Sequence, residues 1–312
     1  MNDAIETFAC FGGRCSVRVS DEDSGAEAAA AADEARRALL SAHATLSRFD
    51  PDSELSRLNR DPRREVPASP LLRRLVAGAL TAGLRSGGLV DATLVDEIEA
   101  AGYADSRDFG GSVGRPTPSP LHAGGPSPRS GWCELSVDEA AGTVSRPPGL
   151  RIDPGGIAKG LMADEVAETL ADFPAFAVDC CGDLRVGGVD ARMRTILVED
   201  PHGGPPLHEL RISEGAVATS GITRRSWVDA EGLAAHQILD PATGRPAYTG
   251  VIQATAVAPT GLLAETLAKS ALLVGPERAG SQLPFGGVIV EDAGQVRVFE
   301  GLAPLAPPGL VA

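Results

Sequence analysis

The sequence lacks the features that mark several large classes of protein. Its 28 Lys and Arg residues are outnumbered by 42 Asp and Glu residues, and the formal charge of −14 opposes binding to phosphate backbones and to anionic lipid surfaces. The first residues, MNDAIETFACFGG, contain no basic segment followed by an apolar one, so we expect no secretory signal. The longest apolar stretch is interrupted by Pro259, Glu265 and Lys269, which predicts no transmembrane helix. We therefore expect neither nucleic acid nor a membrane as a partner.

Cysteine and histidine are too few and too scattered to indicate a familiar site. The five cysteines are odd in number and show no CxxC spacing, which favours reduced thiols and a cytoplasmic protein over a disulfide framework or a zinc site. The sequence contains no GxSxG and no HExxH, and its five histidines lie far apart. These absences give little support to a triad hydrolase or a zinc protease.

The remaining pattern is that of a chain able to bury a large core. With 312 residues, of which 43% are hydrophobic, it is long enough for one large or two ordinary domains. Apolar spacing predicts a strand at RCSVRVS, short strands after residue 174, and helices at EAAAAADEARRALLSAHATLSRF, SPLLRRLVAGALTAGLRSGG and TGLLAETLAKSALLVG. Helices and strands do not alternate regularly, which favours a layered α+β fold over a doubly wound sheet. A stretch rich in Gly, Pro and Ser predicts a flexible loop at residues 103–131.

One segment, IDPGGIAKGLMADEVAETL, combines the end of a strand, two glycines and the start of a helix that carries Lys159. Gly155 and Gly156 would let the backbone approach a ligand, and the unpaired N–H groups of the first helical turn favour an anion. A plain strand-to-helix turn with a solvated lysine explains the same residues equally well. Because no Ser or Thr follows a Gly-Lys pair, the segment is not a Walker loop.

Two further groups of polar residues are open to more than one interpretation. Glu265 and Lys269 are four residues apart and project from one side of a predicted helix, although an exposed ion pair is the commoner explanation of this spacing. Ser220, Gly221 and Arg225 follow a predicted strand in ATSGITRRSW. An arginine after a Ser-Gly turn suits phosphate or carboxylate binding, but a solvated arginine is the default interpretation.

Taken in order, several segments together resemble the ApbE family of FAD:protein FMN transferases. They are FDPDSELSRLN, GGLVDATL, IDPGGIAKGLMADEVAETL, CCGDLRVGG, ATSGITRRSW, HQILDPATGRP and VAPTGLLAETLAKSALLVG. The resemblance implies a single α+β domain over residues 1–312, T-fold-like, with mixed sheets and packed helices. It also implies that FAD binds in an elongated cleft with Mg2+ on its pyrophosphate. A Thr or Ser hydroxyl of an acceptor protein would then attack the FMN-side phosphorus, and AMP would leave.

The same resemblance implies roles for individual residues. The positions that match the cofactor site of the family are Asn59, Asp91, Thr93, Gly155, Gly156, Lys159, Asp164, Gly182, Asp183, Ser220, Gly221, Arg225 and Asp240, together with Gly244. The positions that match or adjoin its catalytic groups are Lys159, His236, Gln237 and Lys269. The positions that match its metal ligands are the carbonyl of Ala158 and the side chain of Glu265.

The chain departs from the pattern of that family at four places. In the late helix the family has A-D-A-L-x-T-A, whereas this chain has Glu265 for the Asp and Lys269 for the Thr. Gln237 replaces the histidine before I-x-D-P, Cys181-Gly182 replaces a Gly-Gly pair, and CFGG at residues 10–13 replaces A-M-G-T. Glutamate can coordinate magnesium but lysine cannot. We therefore hypothesise that the Lys269 ammonium neutralises the pyrophosphate in place of the metal; an ion pair with Glu265 in an inactive site is the alternative.

Two other functions stay open from the sequence. One is an FAD-binding protein that no longer transfers FMN. The other is a pyrophosphatase that hydrolyses FAD to FMN and AMP, with water in place of the acceptor hydroxyl. Because the access of acceptor and water depends on tertiary structure, the sequence does not choose between transfer and hydrolysis.

Overall fold

The computed structural model describes residues 2–22, 25–105, 131–229, 232–302 and 305. Within these ranges the chain forms six α-helices: α1 Ala26–Leu46, α2 Glu54–Arg60, α3 Pro70–Ser86, α4 Val95–Ala100, α5 Ala158–Thr169 and α6 Gly261–Val274. None of the helices in the described ranges is long and apolar enough to cross a membrane.

The same ranges contain seventeen β-strands. They are β1 Asn2–Cys10, β2 Gly13–Asp21, β3 Glu65–Pro67, β4 Ser136–Asp138, β5 Thr143–Ser145, β6 Ala175–Cys180, β7 Asp183–Gly187, β8 Arg194–Val198, β9 His208–Ile212, β10 Gly215–Gly221, β11 Ser226–Val228, β12 Ala234–His236, β13 Leu239–Asp240, β14 Arg245–Pro246, β15 Val251–Ala258, β16 Gly287–Glu291 and β17 Val296–Phe299.

Eight of these strands form the main sheet, in the order β1-β2-β6-β7-β10-β15-β16-β17. The smaller sheets are β3-β5-β4, β8-β9, β11-β12 and β13-β14. Every strand pair among the described residues is antiparallel. The predicted α+β class is confirmed, but the sheets are antiparallel rather than mixed. In pairs such as β1–β2 and β6–β7, a short turn joins the strands and requires them to run in opposite directions.

The helices cover one face of the main sheet. Helix α1 packs on β1 and β2, α5 on β6 and β7, and α6 on β10 and β15, while α3 packs against α5 and α6. Each helix buries an apolar stripe against its neighbours, with Leu39 and Leu46 buried in α1 and Leu72 and Leu75 in α3. This layer places the starts of α5 and α6 beside each other.

The opposite face of the sheet is covered over β7, β10 and β15 by the β8–β9 hairpin. Ile196 and Leu210 of that hairpin pack against Val186 and Val217 of the sheet. In β2 the side chains alternate, so Val17 and Val19 are buried under α1, and Arg14, Ser16 and Arg18 point to the other face. On this face, the hairpin therefore covers one part of the sheet and leaves the part that contains β2 uncovered.

Most elements that the apolar pattern predicts are present, including the hairpins β4–β5 and β16–β17. Ser69 caps α3 with its side chain, Pro70 begins the helix, and Gly87 ends it in the left-handed conformation. Strand β1 and helices α2 and α4 were not predicted, because β1 is a largely exposed edge strand and the two helices have only 7 and 6 residues. The predicted loop at 103–131 lies, except for its first three residues and its last, outside the described residues.

Candidate functional site

Helices α5 and α6 cross with their backbones in contact. A Cβ on Gly160 would lie 2.3 Å from the carbonyl oxygen of Gly261, and a Cβ on Gly261 would lie 2.5 Å from the carbonyl oxygen of Gly160. Only glycine at both positions permits this approach. The crossing brings Lys159, at the start of α5, against Glu265 and Lys269 on α6.

Four charged side chains meet at this crossing, and we call them the charge cluster: Lys159, Asp183, Glu265 and Lys269. Lys159 Nζ forms an ion pair with Asp183 Oδ2 and lies 3.7 Å from Glu265 Oε1. Lys269 Nζ donates to Glu265 Oε1 at 2.8 Å, and the backbone N–H of Gly160 donates to Glu265 Oε2 at 3.0 Å. The two carboxylates are each 1% exposed, whereas the lysine side chains are 16% and 15% exposed. The exposed part of the cluster therefore belongs to the two lysine side chains.

The pKa values in the charge cluster result from burial opposed by neighbouring charges. Burial lowers the pKa of Lys159, but the charges of Asp183 and Glu265 outweigh this effect and leave the pKa raised. Burial raises the pKa of Glu265, but Lys269 and Lys159 outweigh it and leave the pKa lowered. Burial raises the pKa of Asp183, and Lys159 opposes the rise. With all four groups ionised, two positive charges balance two negative ones.

The glycine-rich turn lies directly beside the charge cluster. A Cβ on Gly156 would lie 3.7 Å from Cε of Lys269, so the lysine stem passes close to bare backbone. Asn59 holds the segment that enters the turn: its Nδ2 donates to the carbonyl of Ile152 at 2.9 Å, and its Oδ1 accepts from the N–H of Ile152 at 2.8 Å. At the turn itself, the side chain of Asp153 accepts from the N–H of Gly155 at 2.6 Å. The side chain of Asn59 therefore positions the turn by binding the backbone of Ile152, which leads into it.

Asp91 and Thr93 lie in the connection between α3 and α4. Thr93 donates to Asp91 Oδ1 from its backbone N–H at 2.8 Å and from its hydroxyl at 2.6 Å. Asp91 Oδ2 is buried and accepts no hydrogen bond within the described ranges, and burial raises the pKa of this carboxyl. The carbonyl of Ala92 accepts from the N–H of Asp153 at 2.7 Å, which holds the connection against the glycine-rich turn.

Arg225 and two turns of the main sheet meet at the same end of the sheet. Nη2 of Arg225 donates to the carbonyl of Phe11 in the β1–β2 turn at 3.2 Å. In the adjacent β6–β7 turn, Cys181 and Gly182 have positive φ angles of 59° and 93°, and the space beside Gly182 is open. Asp183 of the charge cluster follows directly as the first residue of β7. The sheet end thus adds a guanidinium and bare backbone to the cluster.

Ser220 and Gly221 end β10, next to Gln237. Ser220 is buried, and the carbonyl of Gly221 accepts from Nε2 of Gln237 at 3.2 Å. Oε1 of Gln237 is buried and accepts no hydrogen bond from any described residue. Since an unpaired buried acceptor costs stability, this atom is suited to accept a hydrogen bond from a ligand.

His236 lies in the interior, with both ring nitrogens engaged by backbone. Its Nε2 is 3.0 Å from the carbonyl of Ala247, and its Nδ1 accepts from the N–H of Ile238 at 3.2 Å. The side chain is 1% exposed, and burial lowers its pKa to about 4. The ring is therefore neutral at pH 7 and supports the local backbone, and its catalytic role stays a prediction.

Two predicted acidic residues cap backbone. Oδ1 and Oδ2 of Asp164 accept from the N–H groups of Gly261 and Leu262 at 2.6 and 2.9 Å, and burial raises the pKa of Asp164 to about 6 against these hydrogen bonds. Asp240 accepts from the N–H of Ala242 at 2.9 Å within its own turn. In that turn Gly244 has a φ of 68° and lies against α4. Asp164 thus holds the start of α6 at the crossing.

The residues expected to bind Mg2+ do not offer a suitable set of ligands. Both oxygens of Glu265 already accept hydrogen bonds, and one of the donors is the ammonium of Lys269. In the described part of the chain, no group of three or more His, Cys, Asp or Glu side chains is arranged to hold a metal ion. Because the ammonium of Lys269 already lies against Glu265, where a cation would bind, the charge cluster in this arrangement does not fit Mg2+ beside the carbonyl of Ala158.

Several residues of this region were not identified from the sequence. Nε of Arg185 lies 3.4 Å from Asp164 Oδ1, and Nε of Arg48 lies 3.2 Å from Asp153 Oδ2. Their partners are distant in sequence, so no local pattern indicates these contacts. Gly261 was also missed, although a glycine at the start of an apolar helix is a signal of close backbone approach.

The chain is similar to known proteins over most of its length. The model of the ApbE family matches residues 11–284. The FAD:protein FMN transferase of Treponema pallidum is 27% identical over 304 residues, which cover 89% of this chain and 81% of the relative. That of Vibrio cholerae is 28% identical over 273 residues, which cover 84% and 76%.

Solved structures show the same fold. An ApbE protein from Thermotoga maritima has a TM-score of 0.78 at 23% identity, with 96% of this chain and 97% of that chain covered. The flavin transferase ApbE from Vibrio cholerae has a TM-score of 0.70 at 20% identity, with the same coverage of both chains. The family match spans the charge cluster, the glycine-rich turn and Arg225, which confirms the resemblance expected from the sequence. This chain belongs to the ApbE family.

Proposed function

We propose that this protein transfers FMN from FAD to a Thr or Ser hydroxyl of an acceptor protein and releases AMP. Membership of the ApbE family supports this function, since the relatives from Treponema pallidum and Vibrio cholerae bear the name FAD:protein FMN transferase. The observation that carries the proposal is the convergence of Lys159, Lys269 and Arg225 near the glycine-rich start of α5. Three cations beside bare backbone suit an anionic diphosphate.

The proposed reaction is a phosphoryl transfer. The hydroxyl oxygen forms a bond to the FMN-side phosphorus, the bond from that phosphorus to the bridging oxygen breaks, and AMP leaves with the bridging oxygen. The hydroxyl proton is released to AMP or to solvent. Such a reaction depends on positioning and charge neutralisation more than on an unusual nucleophile. Lys159, Lys269 and Arg225 supply the positive charge that can neutralise the diphosphate.

We further propose that Lys269 neutralises the diphosphate in place of Mg2+. The hydrogen bond to Glu265 at 2.8 Å holds this ammonium beside the glycine-rich turn, where the side chain stays 15% exposed. The affinity for FAD, measured by flavin fluorescence, should therefore differ by less than about twofold between EDTA and excess Mg2+. Loss of one charge-assisted contact in Lys269→Met should weaken binding about 10- to 100-fold, and Mg2+ should not restore it.

The variant Lys269→Thr is the matched test of this idea. It returns a hydroxyl to the position at which the family pattern has a threonine, so FAD binding by the variant should become dependent on Mg2+. A strong requirement for Mg2+ in the unaltered protein would refute the substitution of metal by lysine. It would leave the proposed transfer reaction standing.

Transfer itself is tested by incubating the protein with FAD and a synthetic peptide that contains one threonine. AMP release together with covalent flavin fluorescence on the peptide supports the proposal, and Lys159→Met should abolish both. Free FMN and AMP without peptide labelling would indicate a pyrophosphatase. Bound FAD without any AMP would indicate a protein that binds the flavin but has lost transfer. Absence of FAD binding would overturn all three functions.

A further inference from the structure

A groove lined by arginines lies on the face of the main sheet that the helices do not cover. Its volume is about 500 Å³, and its lining includes Arg14 and Arg18 of β2, Asp179 of β6, and Arg194 of β8. The outward faces of β1, β2 and β6 form the floor, and the edge of the β8–β9 hairpin forms a wall. We call this feature the arginine groove.

The positive charges of the arginine groove are only partly offset by nearby acids, since Asp179 acts on Arg14 and Asp3 acts on Arg194 without a close ion pair. None of Arg14, Arg18 and Arg194 forms an ion pair with a carboxylate belonging to residues that the structure describes. Burial lowers the pKa of Arg194, and the charge of Arg18 lowers it further, while the charge of Asp3 opposes this shift. In a chain with a formal charge of −14, this group of three arginines without a close ion pair among the described residues runs against the overall charge.

One end of the groove reaches the sheet end that carries the charge cluster. Arg14 directly follows the β1–β2 turn, whose Phe11 carbonyl accepts from Arg225. Asp179 Oδ1 accepts from the N–H of Gly182 at 2.7 Å, and Asp183 of the charge cluster is the next residue. A segment lying in the groove would therefore lead toward the site of phosphoryl transfer.

We propose that the arginine groove binds an acidic, extended segment of the acceptor protein and directs the hydroxyl next to that segment to the site. The inference rests on the proposed transfer function and adds the chemistry by which the acceptor is recognised. Arg14 and Arg18 are four residues apart in one strand, which corresponds to about 13 Å. Acidic side chains four residues apart in an extended peptide would reach both guanidinium groups, and the reactive Thr or Ser would lie beyond the Arg14 end. Carboxylates pair with guanidinium groups through two hydrogen bonds, which favours them as partners.

Peptide binding tests the groove independently of catalysis. The probes are labelled 12-residue peptides with one threonine and with Asp residues four apart, and matched peptides that carry Asn or Lys at the Asp positions. At low salt, fluorescence anisotropy should show binding of the Asp peptide at least about tenfold tighter than of the Asn peptide, and screening at high salt should reduce this ratio. Equal binding of the Asp and Asn peptides would overturn the proposal.

Charge reversal keeps the test valid even if a variant is less stable. Arg18→Glu combined with Arg194→Glu should reverse the preference, so that the Lys peptide binds more tightly than the Asp peptide. Arg37→Glu, an exposed arginine of α1 on the helix-covered side, is the control and should keep the preference for Asp. An unchanged preference in the double variant would contradict the proposal. Gel filtration gives a second possible contradiction. If the unaltered protein is a dimer and the double variant is a monomer, a second copy of the chain occupies the groove.

The readouts separate failure of the groove from failure of the transfer function. FAD affinity should be the same, within about twofold, in the groove variants and in the unaltered protein. If FMN is transferred to the Asp peptide with the same kcat/KM in both, the groove assignment is wrong while the transfer function holds. If the Asp peptide binds as expected but FAD yields no AMP, the transfer function is wrong while the groove still binds acidic peptides.

Discussion

Replacing Glu265 of the charge cluster alone should cost more stability than replacing Glu265 and Lys269 together. Glu265→Gln leaves Lys269 without its carboxylate and Lys159 with Asp183 alone. Loss of one partner of a buried ion pair costs about 3–5 kcal/mol, and we expect about 3 kcal/mol here, because the 15% exposed Lys269 can turn toward water. Lys269→Met should cost less, about 1–2 kcal/mol, because Lys159 at 3.7 Å and the N–H of Gly160 still face Glu265.

The double variant Glu265→Gln, Lys269→Met should lose only about 2 kcal/mol, since a neutral pair of similar shape avoids an unpaired buried charge. The interaction energy of the cycle should then be about 2–3 kcal/mol. Urea denaturation at pH 7, with a common m-value, measures all four free energies of unfolding. The control cycle is Asp33→Asn with Arg37→Met, an exposed pair of the same i,i+4 spacing on α1, for which solvent screening should leave little coupling. Additive effects in the cluster, or a coupling no larger than that of the control, would refute the argument.

Three more outcomes follow from other parts of the molecule. Gly160→Ala places a Cβ 2.3 Å from the carbonyl oxygen of Gly261, so the free energy of unfolding, measured by urea denaturation, should fall by about 3 kcal/mol or more. Flavin fluorescence should also show weaker FAD binding. Unchanged stability and unchanged FAD affinity would exclude the backbone contact. Burial lowers the pKa of His236 from 6.5 to about 4, so its contribution to stability is complete above pH 6.5 and is lost as the pH falls toward 4, by about 3 kcal/mol in total. Between pH 7 and pH 4.5, the unaltered protein should therefore lose more unfolding free energy than the His236→Gln variant. Parallel pH profiles for the two proteins would contradict this prediction. At pH 8 a disulfide reagent should react rapidly with only one thiol in each chain, that of the exposed Cys133. The partly exposed Cys181 should react slowly, because a hydrogen bond to a neighbouring thiol and burial raise its pKa. A second rapidly reacting thiol would contradict this prediction.

Much of the fold could be predicted because its signals are local. The apolar stripes of α1 and α3, the Ser69 cap and the Gly87 stop are contained in short stretches of sequence. Strand β1 is an edge strand whose inward face, with Ala4 and Phe8, is only half-buried, and α4 has only 6 residues, so neither has a strong period. The same limit applies to the site: Lys159 was predicted from its place after two glycines, whereas the contact between Gly160 and Gly261 joins segments far apart in the chain.

By itself, the sequence determined the α+β class, the positions of the long helices, and membership of the ApbE family, because periodicity, helix caps and ordered short motifs are properties of neighbouring residues. Only the tertiary structure decided that Glu265 lies between Lys159 and Lys269, since this depends on how closely two helices cross. It likewise decided that His236 is held by backbone in the interior and that Arg14, Arg18 and Arg194 share one groove. The physical reason is the same in each case: burial and charge are set by partners that chain folding brings together from distant positions.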